Sequence, residues 1–324
     1  MEPRVPTARK RCARFASRSR PIAPPDAVRT VYLGTSEFAV TVLERLAESP
    51  FRPALVVTRP DRPRGRGRKL SPPPVADAAR ALGIEVDQPD SVNSDEARAR
   101  IAALAPDAML ICAFGALIKE PLLSDYEWLN VHPSLLPRWR GAAPVERAID
   151  AGDSESGVSI MRPTAEMDAG PVCLRRSEPV RSDDDYGTLA PRLARLGGDL
   201  LVQALEERPA FEEQLADGVT IADKITADDR RLDPARSPAE LDRRVRALSP
   251  HIGAWVAGPG EDRTGVVRAR PADDDVAPGG LEARDGRLLY GCAGGALELL
   301  EVKPPGGRAM DAADWLRGQG RSIA

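Results

Sequence analysis

Between Leu129 and Ile149 the chain reads LNVHPSLLPRWRGAAPVERAI. Asn130 and His132 are two residues apart, so an extended backbone projects both to one face and sends Leu129 and Val131 to the other. A carboxamide can donate to a carbonyl oxygen as that oxygen gains negative charge. An imidazole can move a proton near neutral pH. Together at the end of a strand, the two suit acyl-group transfer. His132 is one of only two histidines in the chain. A lone histidine beside a valine is more often structural than catalytic, so the surrounding elements decide the reading. Pro133, Pro137 and Pro144 punctuate the segment, and Gly141 permits a tight turn before a short helix.

The frame for such a strand begins at Thr30. Thr30 to Leu33 reads as a buried strand, Gly34 as its turn and Ser36 as an N-cap. Phe38, Val42, Leu43 and Leu46 then share a helical face. A second strand follows at Ala54 to Thr58. Val75 to Leu82 and Glu96 to Leu104 read as helices, and Ala108 to Ala113 as an apolar buried strand. Alternation of this kind predicts an α/β, Rossmann-like parallel sheet. The turn at Gly34 has one glycine where a dinucleotide fingerprint needs three, so a nicotinamide cofactor is rejected. Tyr186 to Glu207 reads as a long helix weakened at Gly197-Gly198. Arg208 to Asp228 lacks periodicity and reads as a linker. Ser237-x-x-Glu240 is a capping box that starts a helix with Leu241, Val245 and Leu248 on one face. Short β-like runs follow at Ala254 to Ala257, Gly265 to Arg270, Arg287 to Tyr290 and Ala296 to Val302, the spacing of a small barrel.

A chain of 324 residues suggests two domains, and 42% apolar content is enough to bury a sizeable core. No run of 18 apolar residues occurs, so no membrane partner is expected. Cys12, Cys112, Cys173 and Cys292 are scattered without a C-x-x-C, and the two histidines are far apart, so no metal site is expected. Free thiols fit a reducing, cytoplasmic setting. The formal charge of −3 divides unevenly: the first thirty residues carry +6 and the remainder −9. Residues 1–27 have no apolar core of a secretory signal and are rich in Arg, Ser, Ala and Pro, which predicts a disordered basic tail.

Asn130-x-His132 followed by Ser134-Leu135-Leu136-Pro137-x-x-x-Gly141, with Met167-Asp168-Ala169-Gly170 downstream, closely resembles the signature of the folate-dependent formyltransferases. The resemblance implies that Asp168 joins Asn130 and His132 as a catalytic trio. It implies 10-formyltetrahydrofolate as co-substrate, without a metal. Ser134, Leu135, Leu136 and Pro137 would line the folate pocket, and Phe114, Gly115 and Leu117 would give wall and backbone contacts to the pterin. The family also carries an OB-like barrel after the catalytic domain. The expected plan is therefore a tail over 1–27, a formyltransferase domain over 28–207, a linker over 208–228 and an OB-like, tRNA-binding domain over 229–324. Chains of this family usually begin near Val28-Arg29-Thr30, so the tail is read as a possible start-site artefact.

Arg59 to Lys69 reads RPDRPRGRGRK, six cations against one acid, Asp61. Proline and glycine exclude a helix there. A charge run is usually a solvated surface, yet six like charges on a short loop repel one another unless a polyanion is present. Arginine suits phosphate and base-edge contacts. Pro60 to Leu70 is similar to the loop P-D-R-P-x-G-R-G-K-K-L of those family members that act on initiator methionyl-tRNA, departing at Arg64 and Arg68. Arg66 falls where their key arginine does. Thr220 to Ile225 and Leu299 to Met310 also look like those members. The implied activity is formylation of charged initiator tRNA for translation initiation by a monomer, with Arg62, Arg64, Arg66, Arg68 and Lys69 on the tRNA. Formyltransferases for glycinamide ribonucleotide or nucleotide-sugar amines share the trio but need no such arm. A non-catalytic RNA-binding relative would not need an intact trio. Two departures stand out. Ser249-Pro-His-Ile-Gly253 replaces a Trp-Pro-rich turn. From Asp229 onward there are 15 basic and 15 acidic residues, so any tRNA contact there needs a patch such as Arg243, Arg244 and Arg246.

Overall fold

Val31 and Leu33 alternate with Tyr32 along β1 (Thr30–Gly34), so a single strand seeds two cores, one on each face of a sheet. In the computed structural model, residues 28–64, 67, 69–258 and 263–319 are described. The expectations for the tail over 1–27, for Arg66 and Arg68, and for the side chain of Arg64 lie outside the described residues. After β1 come α1 (Glu37–Ala47), β2 (Leu55–Val57), β3 (Arg62–Arg64), β4 (Lys69–Ser71), α2 (Pro74–Ala81), β5 (Glu85–Asp87), α3 (Asp95–Leu104) and β6 (Ala108–Cys112). They are followed by α4 (Leu122–Asp125), β7 (Trp128–His132), β8 (Arg140–Gly141), α5 (Pro144–Ala151), β9 (Glu155–Met161), β10 (Val172–Pro179) and α6 (Tyr186–Glu207).

The main sheet has the order β10-β9-β7-β6-β1-β2-β5. The five strands from β7 to β5 are parallel, as the alternation predicts. Two antiparallel strands, β9 and β10, extend the β7 edge. Strand order reverses between β1 and β6, and at such a switch point the strand ends leave a crevice for a ligand. Parallel register sets Cys112 beside Val131 and Gly34 beside Cys112. The ends of β1, β6 and β7 therefore lie in neighbouring rows about 5 Å apart. The basic segment is a short hairpin rather than an open loop: β3 pairs β4 with Arg62 opposite Ser71.

Helix α6 packs behind β7, and its Leu193, Leu200 and Leu201 are buried with Val131 and Val158. The glycine pair that should weaken this helix does not interrupt it. A Cβ on Gly197 would sit 2.7 Å from Val131 Cγ1, so the missing side chain is what lets the helix approach β7 directly behind Asn130 and His132. At a Gly197 cost of about 1 kcal/mol in helix propensity, close packing against the sheet is the larger effect.

β11 (Ile221–Ala222) pairs with β8 of the first body. The second body begins with α7 (Pro238–Leu248) and continues with β12 (Ala254–Ala257), β13 (Arg263–Ala272), β14 (Leu281–Arg284), β15 (Arg287–Cys292), β16 (Gly295–Lys303), β17 (Met310–Asp311) and α8 (Ala312–Gln319). Ser237 and Glu240 form the reciprocal capping box. Leu241, Val245 and Leu248 bury their face against Val256, Val266, Leu297 and Leu299. The antiparallel sheet of six strands runs β12-β13-β16-β15-β14 with β17 paired to β16, and register shifts in β13 bend it.

Arg243, Arg244 and Arg246 are not a free cationic patch. Arg244 grips Asp150 of α5 through two bonds of 2.6 and 2.7 Å. Arg243 Nε donates to Asp150 O and Arg246 Nη1 to Asp184 O. Arg147 meets Asp229 at 3.2 Å. The alternative turn also acts here: His251 stacks on Tyr186 at 3.6 Å and reaches Glu146 at 3.0 Å. Arg244 spends its donors joining α7 to α5, Arg246 divides its donors between Asp242 of its own helix and the Asp184 carbonyl, and Arg243 contributes its Nε.

Candidate active site

Trp128, Asn130 and His132 share one face of β7. Trp128 fills the core at the strand's start, and the two polar residues occupy the end where the core runs out. Asn130 Nδ2 donates to Met161 Sδ at 3.4 Å. A thioether is a weak acceptor, so this amide gives up little when it turns to a better one. His132 is 4% exposed. Its Nε2 lies 2.8 Å from Trp139 O. A carbonyl only accepts, so Nε2 carries the hydrogen, and Nδ1 is the atom left for proton transfer. That nitrogen is 3.6 Å from Asp168 Oδ2, just beyond hydrogen-bond length. Gly141 N–H donates to the same oxygen at 2.9 Å. The structure thus brings together the three residues named from the sequence.

Sharp backbone turns make this possible. Trp139 and Asp168 both adopt left-handed φ, 63° and 49°, unusual for residues with a Cβ and a common feature of built sites. Gly141 has φ 125°, and a Cβ there would lie 2.7 Å from Ala222 O. Asp153 fixes Trp139: it accepts Nε1 at 2.7 Å and both donors of Arg138 at 2.8 and 2.6 Å. Arg138 lies over the indole at 4.3 Å. With the indole held on both sides, the carbonyl that sets the histidine tautomer is held too.

The residues expected around folate fall into two sets. Ser134 and Leu136 are buried and brace the turn. Ser134 Oγ donates to Arg138 O at 2.6 Å, and Leu136 packs with Met161 and Val172. Leu135 packs over Gly157, and Pro137 is half-buried. Phe114 is buried, while Gly115 faces a cavity of about 270 Å³ and Leu117 is 62% exposed. The cavity opens at the switch point, between Thr35 after β1 and Ala113 after β6. Arg59 and Arg62, from the stem of the basic hairpin, form its other wall. Lys69 is exposed.

Two residues gain a meaning here that their sequence positions did not convey. Ser36 holds the N-cap position of α1, but its hydroxyl makes no capping bond and its Oγ is buried without a partner. Arg59 Nη1 donates to Gly115 O at 3.2 Å, and its Nε is buried without a partner. Both side chains line the cavity, so the unpaired groups stand ready for a polar ligand. Composition marked Arg59 only as one of six cations, and Ser36 only as a cap.

Burial pushes the Cys112 thiol up to about 12 and Cys173 up to about 11, so neither is a thiolate nucleophile at neutral pH. Among the described residues, no group of three or more His, Cys, Asp or Glu is arranged to hold a metal ion. Among the same residues, no helix is long and apolar enough to cross a membrane.

Comparison with known proteins agrees with the geometry. The family model described as formyl transferase matches residues 28–205, and the model of its C-terminal domain matches residues 224–320. The methionyl-tRNA formyltransferase of Halorhodospira halophila is 44% identical over 314 residues, covering 90% of this chain and 97% of that protein. Among solved structures, methionyl-tRNA formyltransferase from Clostridium thermocellum superposes with a TM-score of 0.57 at 13% identity, covering 77% of this chain and 96% of that one. HypX from Aquifex aeolicus in complex with tetrahydrofolic acid gives 0.58 at 19% identity, covering 91% of this chain and 48% of that one. This chain thus spans about half of HypX, and both superpositions bear on the fold alone. With matches to both parts of the family model and 44% identity over nearly its whole length, the chain belongs to the methionyl-tRNA formyltransferase family.

Proposed function

We propose that this protein transfers the formyl group of 10-formyltetrahydrofolate to the α-amino group of methionyl-initiator tRNA. The observation that carries the reading is the trio at the end of β7: Asn130 held by a thioether, His132 fixed in its Nε2–H form, and Asp168 facing Nδ1. Folate supplies the activated formyl carbon. Met167, next to Asp168, and Leu117, on the loop after β6, are 66% and 62% exposed, apolar side chains that a flat heterocycle would cover.

The attacking amine must be neutral, and an α-amine has a pKa near 8. As its nitrogen bonds to the formyl carbon, the carbonyl oxygen gains charge. Asn130 Nδ2 leaves Met161 and donates to that oxygen. Asp168, supported by Gly141 N–H, takes the proton that the amine loses. Asp168 hands that proton to His132 Nδ1, bare until then, which delivers it to the folate nitrogen as the bond from that nitrogen to the formyl carbon breaks, while Trp139 O keeps the ring in place. Bond formation to the amine and bond cleavage at the folate nitrogen are thus served by groups on one face.

On this reading the Phe114 and Gly115 side of the switch-point cavity serves the folate, and its Arg59 and Arg62 wall faces the end of the charged acceptor. Arg62 and Lys69, with Arg64, Arg66 and Arg68, grip the acceptor arm. The protein acts as a monomer in the cytoplasm, where charged initiator tRNA enters translation. A formylation assay tests the whole proposal. Methionyl-initiator tRNA should react far faster than elongator methionyl-tRNA or glycinamide ribonucleotide. Preference for the small amine would overturn it.

A further inference from the structure

The segment from Arg208 to Asp228 has no sequence periodicity, yet it is heavily tied to the walls of the trio. Glu212 exchanges two backbone bonds with Val172, at 2.8 and 3.0 Å. Thr220 O accepts Arg140 N–H at 2.9 Å, and Thr220 Oγ1 accepts Trp139 N–H at 2.8 Å. Ala222 O accepts Ala142 N–H at 2.8 Å. Between these two anchors lies Gln214. Its Nε2 donates to Asp168 O at 2.7 Å and to Gly170 O at 2.7 Å, and its Oε1 accepts Arg140 Nε at 3.0 Å. Two donors on two carbonyls and one acceptor on a guanidinium fix the orientation of the amide without ambiguity.

We propose that Gln214 is a positioning residue for Asp168, acting through this strap and touching neither substrate. The inference rests on the functional reading above. Asp168 sits in the left-handed region, φ 49°, which aspartate tolerates better than most residues but which bonds to its peptide must still select. Gln214 holds the carbonyl of that residue and, through Arg140, the segment whose next amide, Gly141 N–H, supports the carboxylate. One side chain therefore fixes both the backbone and the head of Asp168 relative to His132 Nδ1. A glutamate of the same size would set a carboxylate against two carbonyl oxygens, removing both donors while conserving volume.

The experiment compares Gln214→Glu and the apolar isostere Gln214→Met with wild type, each alone and combined with Asp168→Asn. Measured are kcat and KM for methionyl-initiator tRNA, the melting temperature, and amide exchange across residues 164–170. Expected is a fall in kcat of about 10- to 100-fold, the scale of a misplacement of about 1 Å, with KM within about twofold and faster exchange confined to that turn. In the Asp168→Asn background neither substitution should slow the reaction further, because a residue that acts only through Asp168 has nothing left to position. Two results would overturn the inference: kcat within about twofold of wild type in both variants, or an equal loss in the presence and absence of Asp168. A normal rate in Asp168→Asn itself would instead overturn the catalytic role of Asp168, which distinguishes the failure of the functional reading from the failure of this one.

Discussion

Asp184 offers a test of how the helix behind the trio is held. Its carboxylate accepts two bonds from Arg192 at 2.7 Å, one from Arg181 N–H at 2.8 Å and one from the Thr188 hydroxyl at 2.9 Å. The side chain is only 3% exposed. The Arg192 guanidinium, helped by these hydrogen bonds, lowers its pKa to about 2 against burial, which raises it. An unfolded aspartate titrates near 3.9. Because the folded value is depressed, the stabilisation is fully present above the unfolded value, from about pH 5, and is lost as pH falls through the folded value. Linkage puts it at about 2–3 kcal/mol at pH 7 and about half that at pH 3. Asp184→Asn keeps the shape and removes the charge. In urea unfolding at pH 7, 5 and 3, the gap between wild type and variant should be about 2–3 kcal/mol at the first two and shrink by about half at the last. A gap that is absent at pH 7, or that stays constant down to pH 3, would refute the reasoning.

Three further outcomes are expected. Replacing Arg64, Arg66, Arg68 and Lys69 together by Ser should weaken tRNA binding and flatten its salt dependence by roughly 0.7–0.9 in the log–log slope for each phosphate no longer neutralised, with folate affinity unchanged, as equilibrium binding at several salt concentrations would reveal. Arg244→Met leaves Asp150 and Asp229 facing each other with less compensation, and breaking a partly buried pair should cost about 3 kcal/mol; calorimetry should show a lower or split transition. Gly197→Val should lower the melting temperature by several degrees, since overpacking against Val131 costs about 1–3 kcal/mol and each kcal/mol is roughly 2–4 °C at this domain size.

Asn130, His132 and most of the parallel half of the sheet were legible because their signals are local, a two-residue spacing on an apolar strand and alternation of strand with helix; Asp168 was named through the resemblance alone, and the short, half-exposed β5 gave no signal. The antiparallel pair β9 and β10 left no such trace. Ser156 and Ser159 are buried polar residues, and Gly157 sits within β9 under Leu135 and the Arg176 carbonyl because only a bare Cα fits there. β10 carries Arg175, Arg176 and Glu178 at an exposed edge. The strap over 212–222 stayed hidden for another reason: backbone bonds and one amide side chain hold it, and neither has a periodicity. The charge on Arg243, Arg244 and Arg246 was visible, but Arg244's partner Asp150 and the carbonyls of Asp150 and Asp184 that take Arg243 and Arg246 are distant in sequence, so these contacts could not be read in advance.

The central claim is that His132, fixed by Trp139 O and facing Asp168, moves the proton of formyl transfer. Single-turnover formylation of methionyl-initiator tRNA by His132→Ala, with tRNA and folate binding measured alongside, tests it most directly. A loss of roughly 100-fold or more in rate with binding intact is the predicted result. A rate close to wild type would contradict the claim.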